Sequence, residues 1–198
     1  MLKIKVKVGN VTNLSDARYC AGMGVELLGF PVGPHDGIDP KKYKEITDWV
    51  SGPAFVLEWT GEGIPDNFED IIQPYNADFI QIGAHLLGNI PAFSFRLIIT
   101  VPLRDWPLLY PALQRNKDRT GYLILTNPVD DPIDPVLISQ IGKEFSVLLG
   151  FGVSEKNLDT LSILPIAGIA LEGTAESKPG LKDYSQLSEI LERLEVSE

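Results

Sequence analysis

The chain has 198 residues and a mass of 21.8 kDa, which suits one large α/β domain and leaves little room for two. Its composition, 44% hydrophobic and 22% charged residues, is that of a globular chain with a packed core. With 17 Lys and Arg against 27 Asp and Glu the formal net charge is −10, which argues against nucleic acid or an anionic membrane as a partner.

Eight β-rich runs alternate with amphipathic stretches along the chain. The predicted strands are Leu2–Val8, Val25–Val32, Ala54–Trp59, Ala77–Ile82, Phe95–Val101, Gly121–Leu125, Ser146–Leu149 and Ile166–Leu171. The predicted helices are Leu14–Met23, Pro40–Val50, Asn67–Pro74, Trp106–Asn116, Pro135–Lys143, Glu155–Leu161 and Tyr184–Leu194. After the fourth strand the stretch 84–89 is too short for more than about one helical turn.

Several boundaries of these elements carry residues that favour them. Pro40 and Pro135 suit a first helical turn, Ser154 suits an N-cap, and Gly24 suits a left-handed helix end. Alternating strands and helices predict right-handed crossovers and a parallel sheet. Because there are eight units rather than six or seven, we expect a closed (β/α)8 TIM barrel, formed as a single domain over residues 1–198.

In such a barrel the functional site lies where the carboxyl ends of the strands meet. The loops after the seventh and eighth predicted strands, 150–154 and 172–176, both contain glycine. Loops at these two places often bind phosphate through backbone N–H groups, and glycine also simply makes tight turns. Both interpretations stay open, and the phosphate-binding candidates are Gly150, Phe151, Gly152, Gly173 and Thr174.

Five segments of the chain, in order, resemble the phosphoribosylanthranilate isomerase family. Lys5–Ala17 resembles the family's V-K-I-C-G-I-T-N-L-x-D-A, and Gly24–Phe30 resembles its G-A-D-x-x-G-F. Ile80–Ile82 is similar to the start of V-Q-L-H-G. Leu149–Leu158 resembles L-S-G-G-L-x-P-x-N-V, and Glu176–Asp183 resembles E-x-x-P-G-x-K-D. The resemblance therefore spans essentially the whole chain and implies the same barrel.

The resemblance also implies an activity. Members of the family isomerise phosphoribosylanthranilate to a ribulose phosphate in tryptophan biosynthesis, an Amadori rearrangement that uses a Cys general base and an Asp general acid. No metal or organic cofactor is implied. The single cysteine, Cys20, cannot form an internal disulfide, so we expect a cytoplasmic protein without a structural metal site.

The chain departs from the family at its chemical groups. Gly9 aligns with the family's Cys and Thr126 aligns with its Asp, and a threonine hydroxyl is a poor proton donor at neutral pH. The loop 33–37 lacks the Arg that holds the anthranilate carboxylate in the family. Glu172 precedes Gly173 and Thr174 where the family has Ser-Ser-Gly, and a carboxylate facing the site would repel phosphate.

Other residues are candidates to replace the missing acid and base: Glu58, Glu172 and His85. Period-two alternation places Lys7 on the same side of the first strand as Gly9, and a buried lysine needs a partner. Glu58 and Glu172 are the acidic candidates for that partner, with Asp130 and Asp131 farther out on a loop. We expect an internal ion pair between Lys7 and Glu58. His85 is expected to be a solvated loop residue, and Trp59, at a strand end, to be a core or rim aromatic or to stack on a ligand.

Three functions remain open from the sequence. The favoured one is an isomerase-like barrel that binds a small ligand, a phosphosugar among the candidates, and whose isomerase chemistry is lost or altered. The second is an active phosphoribosylanthranilate isomerase with substitute acid and base residues. The third is an enzyme acting on another phosphorylated sugar. The oligomeric state is not determined by the sequence.

Overall fold

Eight parallel strands close into a barrel in the computed structural model of the chain, which describes residues 2–91, 95–127, 134–173, 176–178, 181–182 and 185–196. The strands are β1 (Lys5–Gly9), β2 (Leu27–Val32), β3 (Ala54–Trp59), β4 (Phe79–Gly83), β5 (Arg96–Pro102), β6 (Thr120–Thr126), β7 (Val147–Leu149) and β8 (Gly168–Glu172). Each pairs with the next in the chain, and β8 pairs with β1. The predicted (β/α)8 TIM barrel is confirmed.

Helices connect most of the strands. They are α1 (Leu14–Gly22), α2 (Pro40–Thr47), α3 (Phe68–Ile72), α4 (Trp106–Arg115), α5 (Pro135–Gly142), α6 (Leu158–Leu161) and α7 (Ser185–Leu194). Short 3₁₀ turns lie at 73–75, 84–86, 103–105, 117–119 and 155–157. Within the described residues, the 3₁₀ turn 84–86 is the helical structure between β4 and β5. This agrees with the prediction of about one helical turn after the fourth strand. Buried Leu86 and Leu87 pack there in place of a longer helix.

The residues that were predicted to lie at helix ends do lie there. Pro40 and Pro135 lie in the first turns of α2 and α5. Ser154 and Asn157 form a capping box at the start of the turn 155–157. Gly24 follows α1 with φ +81°, a left-handed conformation that favours glycine.

Some boundaries differ from the prediction. The first strand begins at Lys5 rather than at position 2, because Leu2 forms a separate bridge with Glu195 near the chain end. The eighth strand extends to Glu172, which pairs with Gly9 of β1. The sequence did not predict the antiparallel pair β9 (Glu176–Lys178) and β10 (Leu181–Lys182). The predicted helix start Tyr184 lies outside the described residues.

Alternating side chains on the strands form two apolar layers. Leu27, Val56, Ile98, Ile124 and Leu148 pack inside the barrel. The alternate strand residues, Val6 and Val8 among them, belong to the larger core between the strands and the helices. This alternation also fixes which residues face inward where the strands end. Within the described ranges, no helix combines the length and apolar character needed to cross a bilayer.

The inner layer predicts a stability effect. We expect Leu148→Ala to lower the free energy of unfolding by about 3 kcal/mol, because Leu148 is fully buried and the truncation leaves a cavity. Leu108→Ala is the matched control and should change it by less than about 0.5 kcal/mol, since Leu108 is 82% exposed. Urea unfolding of both variants measures the difference, and similar losses for the two would contradict the layer assignment.

Candidate functional site

Polar and small side chains occupy the inward positions at the carboxyl ends of the strands, which we call the mouth of the barrel. Val56, Ile98 and Ile124 point into the barrel. Because side chains alternate along a strand, the residue two positions later on each of these strands points into the mouth. The mouth residues used below are Lys7, Gly9, Gly29, Glu58, Gln81, Gly83, Thr100, Thr126, Gly150 and Glu172.

An ion pair lies at the centre of the mouth. Lys7 Nζ donates a hydrogen bond to Glu58 Oε1, and the two side chains are only 3% and 14% exposed. The N–H of Asn10 donates to the second oxygen, Glu58 Oε2, at 2.8 Å. Asn10 adopts φ +54°, a left-handed conformation that asparagine tolerates better than most residues. The predicted Lys7–Glu58 pair is confirmed, and both carboxylate oxygens are engaged.

Two glycines make room for this pair. A Cβ at position 9 would lie 2.5 Å from Glu58 Oε1 and 3.0 Å from Lys7 Nζ. A Cβ at position 29 would overlap the Glu58 carboxylate and lie 2.9 Å from Lys7 Nζ. The ion pair therefore takes the volume that any side chain at position 9, a cysteine included, would need. The sequence analysis missed the part played by Gly29.

Glu172 stands on the β8 side of the mouth, opposite Gly9 in the β1–β8 register. It is only partly exposed to solvent, and its pKa is raised above the usual value. Partial burial is the main cause, the negative charge of Glu58 adds to it, and Lys7 opposes it. Glu172 therefore faces the same group of charges as the ion pair.

Neutral polar groups line the other side of the mouth. Gln81 Nε2 donates to Thr100 Oγ1 at 3.3 Å. Gln81 Oε1 is buried and finds no hydrogen-bond partner among the described residues. Thr126 lines a cavity of about 230 Å³ together with Pro102 and Arg104. The sequence analysis missed Gln81 and Thr100, whose inward position was the available signal.

His85 also reaches the mouth, although its side chain is exposed as expected. Its ring lies over the end of β4, where a Cβ on Gly83 would come within 2.5 Å of His85 Cε1. The imidazole thus fills space above an inward glycine. The structure brings His85, Glu58 and Glu172 to the same end of the barrel.

Two of the phosphate-binding candidates already use their backbone N–H groups in hydrogen bonds within the barrel. The N–H of Gly150 donates to Leu125 O at 2.9 Å, and that of Gly173 donates to Gly9 O at 2.8 Å. Gly152 has φ +62°, and Phe151 is buried beside it. Thr174 lies outside the described residues. Phosphate binding at this loop stays a prediction that rests on Phe151 and Gly152.

Within the part of the chain that the structure describes, no group of three or more His, Cys, Asp or Glu residues is arranged to hold a metal ion. Cys20 is buried in α1.

No family model matches the chain, but whole-length relatives do. The N-(5'-phosphoribosyl)anthranilate isomerase of Aquifex aeolicus is 23% identical over 210 residues, covering 96% of this chain and 98% of the relative. That of Sulfolobus acidocaldarius is 27% identical over 201 residues, covering 96% and 95%. The chain is thus similar to phosphoribosylanthranilate isomerases over essentially its whole length.

Solved structures of phosphoribosylanthranilate isomerases have the same fold. The Thermotoga maritima protein matches with a TM-score of 0.73 at 19% identity, covering 96% of this chain and 98% of that one. A phosphoribosylanthranilate isomerase in complex with reduced 1-(o-carboxyphenylamino)-1-deoxyribulose 5-phosphate matches with a TM-score of 0.72 at 20% identity and the same coverage. The alignment of Gly9 and Thr126 with the isomerase base and acid stays a prediction from the motifs.

The buried ion pair of this isomerase relative predicts a non-additive effect on stability. Glu58→Leu should lower the free energy of unfolding by about 3 kcal/mol at pH 7, because it leaves the Lys7 ammonium buried without a counter-charge. The double variant Lys7→Met/Glu58→Leu should recover most of that loss, since well-packed apolar residues commonly replace a buried pair at little cost.

Denaturant unfolding measures both effects. The control is Glu45→Leu, which removes an exposed partner of Lys41 at 3.8 Å and should change stability by less than about 0.5 kcal/mol. A double variant as unstable as the sum of its single changes would refute the coupling of Lys7 with Glu58.

Glu172 predicts a pH dependence. Because its pKa is higher in the folded chain than the ordinary 4.5, the folded state holds this proton more tightly than the unfolded state does. The contribution of Glu172 to the free energy of unfolding therefore falls as the pH rises from about 4.5 through the folded pKa. Glu172→Gln lacks that loss, so its melting temperature should exceed that of the wild type at pH 7 and match it below pH 4.

Thermal melting across this pH range tests the prediction. Glu189→Gln, an exposed change on α7, controls for the removal of one negative charge. A Glu172→Gln advantage that grows as the pH falls would have the wrong sign and would contradict the assigned surroundings of Glu172.

Proposed function

We propose that this chain is a phosphoribosylanthranilate isomerase-like barrel that binds a small phosphorylated ligand at its mouth and does not carry out the isomerase reaction. The observation that carries the proposal is the Lys7–Glu58 ion pair, which fills the volume beside Gly9. Position 9 is where the resemblance puts the general base. The space for that base is used by a charge pair instead.

The groups near position 9 are poor substitutes for a base. Glu58 accepts one hydrogen bond from Lys7 and another from the N–H of Asn10. Taking a proton from a substrate would neutralise Glu58 and leave the buried ammonium of Lys7 without its counter-charge. At the acid position Thr126 offers a hydroxyl, which does not release a proton readily at neutral pH. Proton transfer therefore lacks both of its usual participants.

The mouth retains groups that suit a polyhydroxylated ligand. Gln81 Oε1, which has no hydrogen-bond partner within the described ranges, can accept hydrogen bonds, and the hydroxyls of Thr100 and Thr126 can donate and accept them. A buried acceptor without a partner favours a ligand that supplies a donor. The ligand in the structurally similar isomerase complex is a sugar phosphate, and the turn at Phe151 and Gly152 follows β7, where barrels often bind phosphate.

A second candidate is an active isomerase in which Glu172 carries the proton. It is favoured by the raised pKa of Glu172, because a general acid must keep its proton near the working pH. Glu172 also lies at the mouth beside Gly9, so a substrate there would be within its reach.

The deciding experiment is turnover of phosphoribosylanthranilate by the purified protein, followed by the loss of substrate fluorescence at high enzyme concentration. We expect no turnover by the wild type, by Glu58→Ala or by Glu172→Ala. Turnover by the wild type that Glu172→Ala abolishes would overturn the proposal and establish the second candidate.

Calorimetry with ribulose 5-phosphate tests the binding part. We expect Glu172→Gln to bind about fivefold more tightly than the wild type, since repulsion between like charges near a protein surface is on the order of 1 kcal/mol. Glu45→Gln, on exposed α2, should leave the affinity unchanged. Failure of both ribulose 5-phosphate and inorganic phosphate to bind would contradict a phosphorylated ligand.

A further inference from the structure

A second cavity lies outside the ring of strands and belongs to none of the mouth residues. It has a volume of about 650 Å³ and opens between the loops 33–39 and 60–67 beside α3. We call it the outer cavity. Its walls include Pro34, Trp59, Glu62, Ile64, Pro65 and Ile71. Volumes of about 300–1,000 Å³ with mostly apolar walls are typical of sites for small organic ligands.

Trp59 forms a fixed wall of the outer cavity. Glu58 points into the barrel, so its neighbour Trp59 points outward and packs edge-on against Phe68 of α3, with ring centroids 4.8 Å apart. Its indole Nε1–H donates to Gly63 O at 2.9 Å. Both ends of this side chain are therefore fixed before a ligand binds. The side chain then loses little conformational entropy on binding.

Glycines on both loops allow the backbone to approach this indole. A Cβ at position 61 would lie 2.7 Å from Trp59 Nε1, and one at position 33 would lie 3.1 Å from Cζ3. Side chains at these positions would therefore press on the indole. The floor of the cavity is equally fixed, because the buried Tyr75 donates its hydroxyl hydrogen to Ile38 O at 2.8 Å.

The charges around the outer cavity all have one sign. The loops 33–39 and 60–67 contain Asp36, Asp39, Glu62 and Asp66 but no Lys or Arg. Glu62 lines the cavity itself and its side chain is exposed. An anionic ligand would meet repulsion from Glu62 there, whereas a cation would be attracted by that carboxylate, and the apolar walls suit a ring system.

We propose that the outer cavity is a binding site for a planar aromatic cation, a fused-ring molecule that carries an amine. The rings pack against Trp59, Pro34 and Ile71, and the amine faces Glu62. This site is independent of the ligand proposed for the mouth, because the two lie on opposite faces of β3.

Calorimetry with 2-naphthylmethylamine and 2-naphthoate tests the proposal, since the two probes share a ring system and differ in charge. We expect the amine to bind at least tenfold more tightly than the carboxylate. Glu62→Lys, a change on an exposed loop, should reverse this preference, and Glu189→Lys on α7 should not. Binding of neither probe, equal binding of both, or a preference that Glu62→Lys leaves intact would overturn the proposal.

Two further variants locate the site. Ile71→Trp fills the cavity and should abolish binding of the amine while the variant keeps a cooperative melting transition. Glu172→Ala should leave binding of the amine unchanged, so a failed mouth ligand and a failed outer-cavity ligand give different results. Loss of amine binding in Glu172→Ala with full binding in Ile71→Trp would place the probe at the mouth and refute the proposal.

Discussion

The buried ammonium of Lys7 is the constraint around which the mouth of the barrel is built. An unpaired charge inside a protein costs several kcal/mol, so Lys7 requires Glu58 from two strands away. Glycine at positions 9 and 29 leaves room for the pair in this arrangement, since a Cβ at either position would contact it closely. The second carboxylate oxygen is satisfied by the N–H of Asn10, whose backbone takes an unusual conformation. The residues at positions 9, 10, 29 and 58, on three strands and one loop, are thus all arranged around the charge of Lys7.

This constraint separates the chain chemically from what its family resemblance implies. A side chain at position 9 would project into the space beside the pair, so the ends of Lys7 and Glu58 would have to move to admit a base there. The change at one position therefore extends to its neighbours. Glu172 belongs to the same electrostatic group, because Glu58 and Lys7 shift its pKa in opposite directions.

Strand β3 connects the mouth with the outer cavity. Successive residues on a strand face opposite sides, so Glu58 completes the ion pair inside while Trp59 forms a wall outside. The two sites draw on different physical properties. The mouth depends on paired charge in a confined space, and the outer cavity depends on a fixed aromatic surface within an acidic rim. Neither property reduces the apolar contacts that close the barrel, since Val56 and Leu57 remain fully buried in the inner and outer layers.

The sequence by itself determined the eight-unit barrel, because hydrophobic periodicity and turn residues are local properties that survive in any globular context. It also predicted that Lys7 faces inward and needs an acidic partner, with Glu58 favoured, and the structure selects Glu58 over Glu172. Only the tertiary structure decided which side chains occupy the space at the mouth. The roles of Gly29, Gln81 and Thr100 and the use of the Gly173 amide by Gly9 all depend on the register between different strands. That register is set by packing of the whole barrel, which no local pattern of residues encodes.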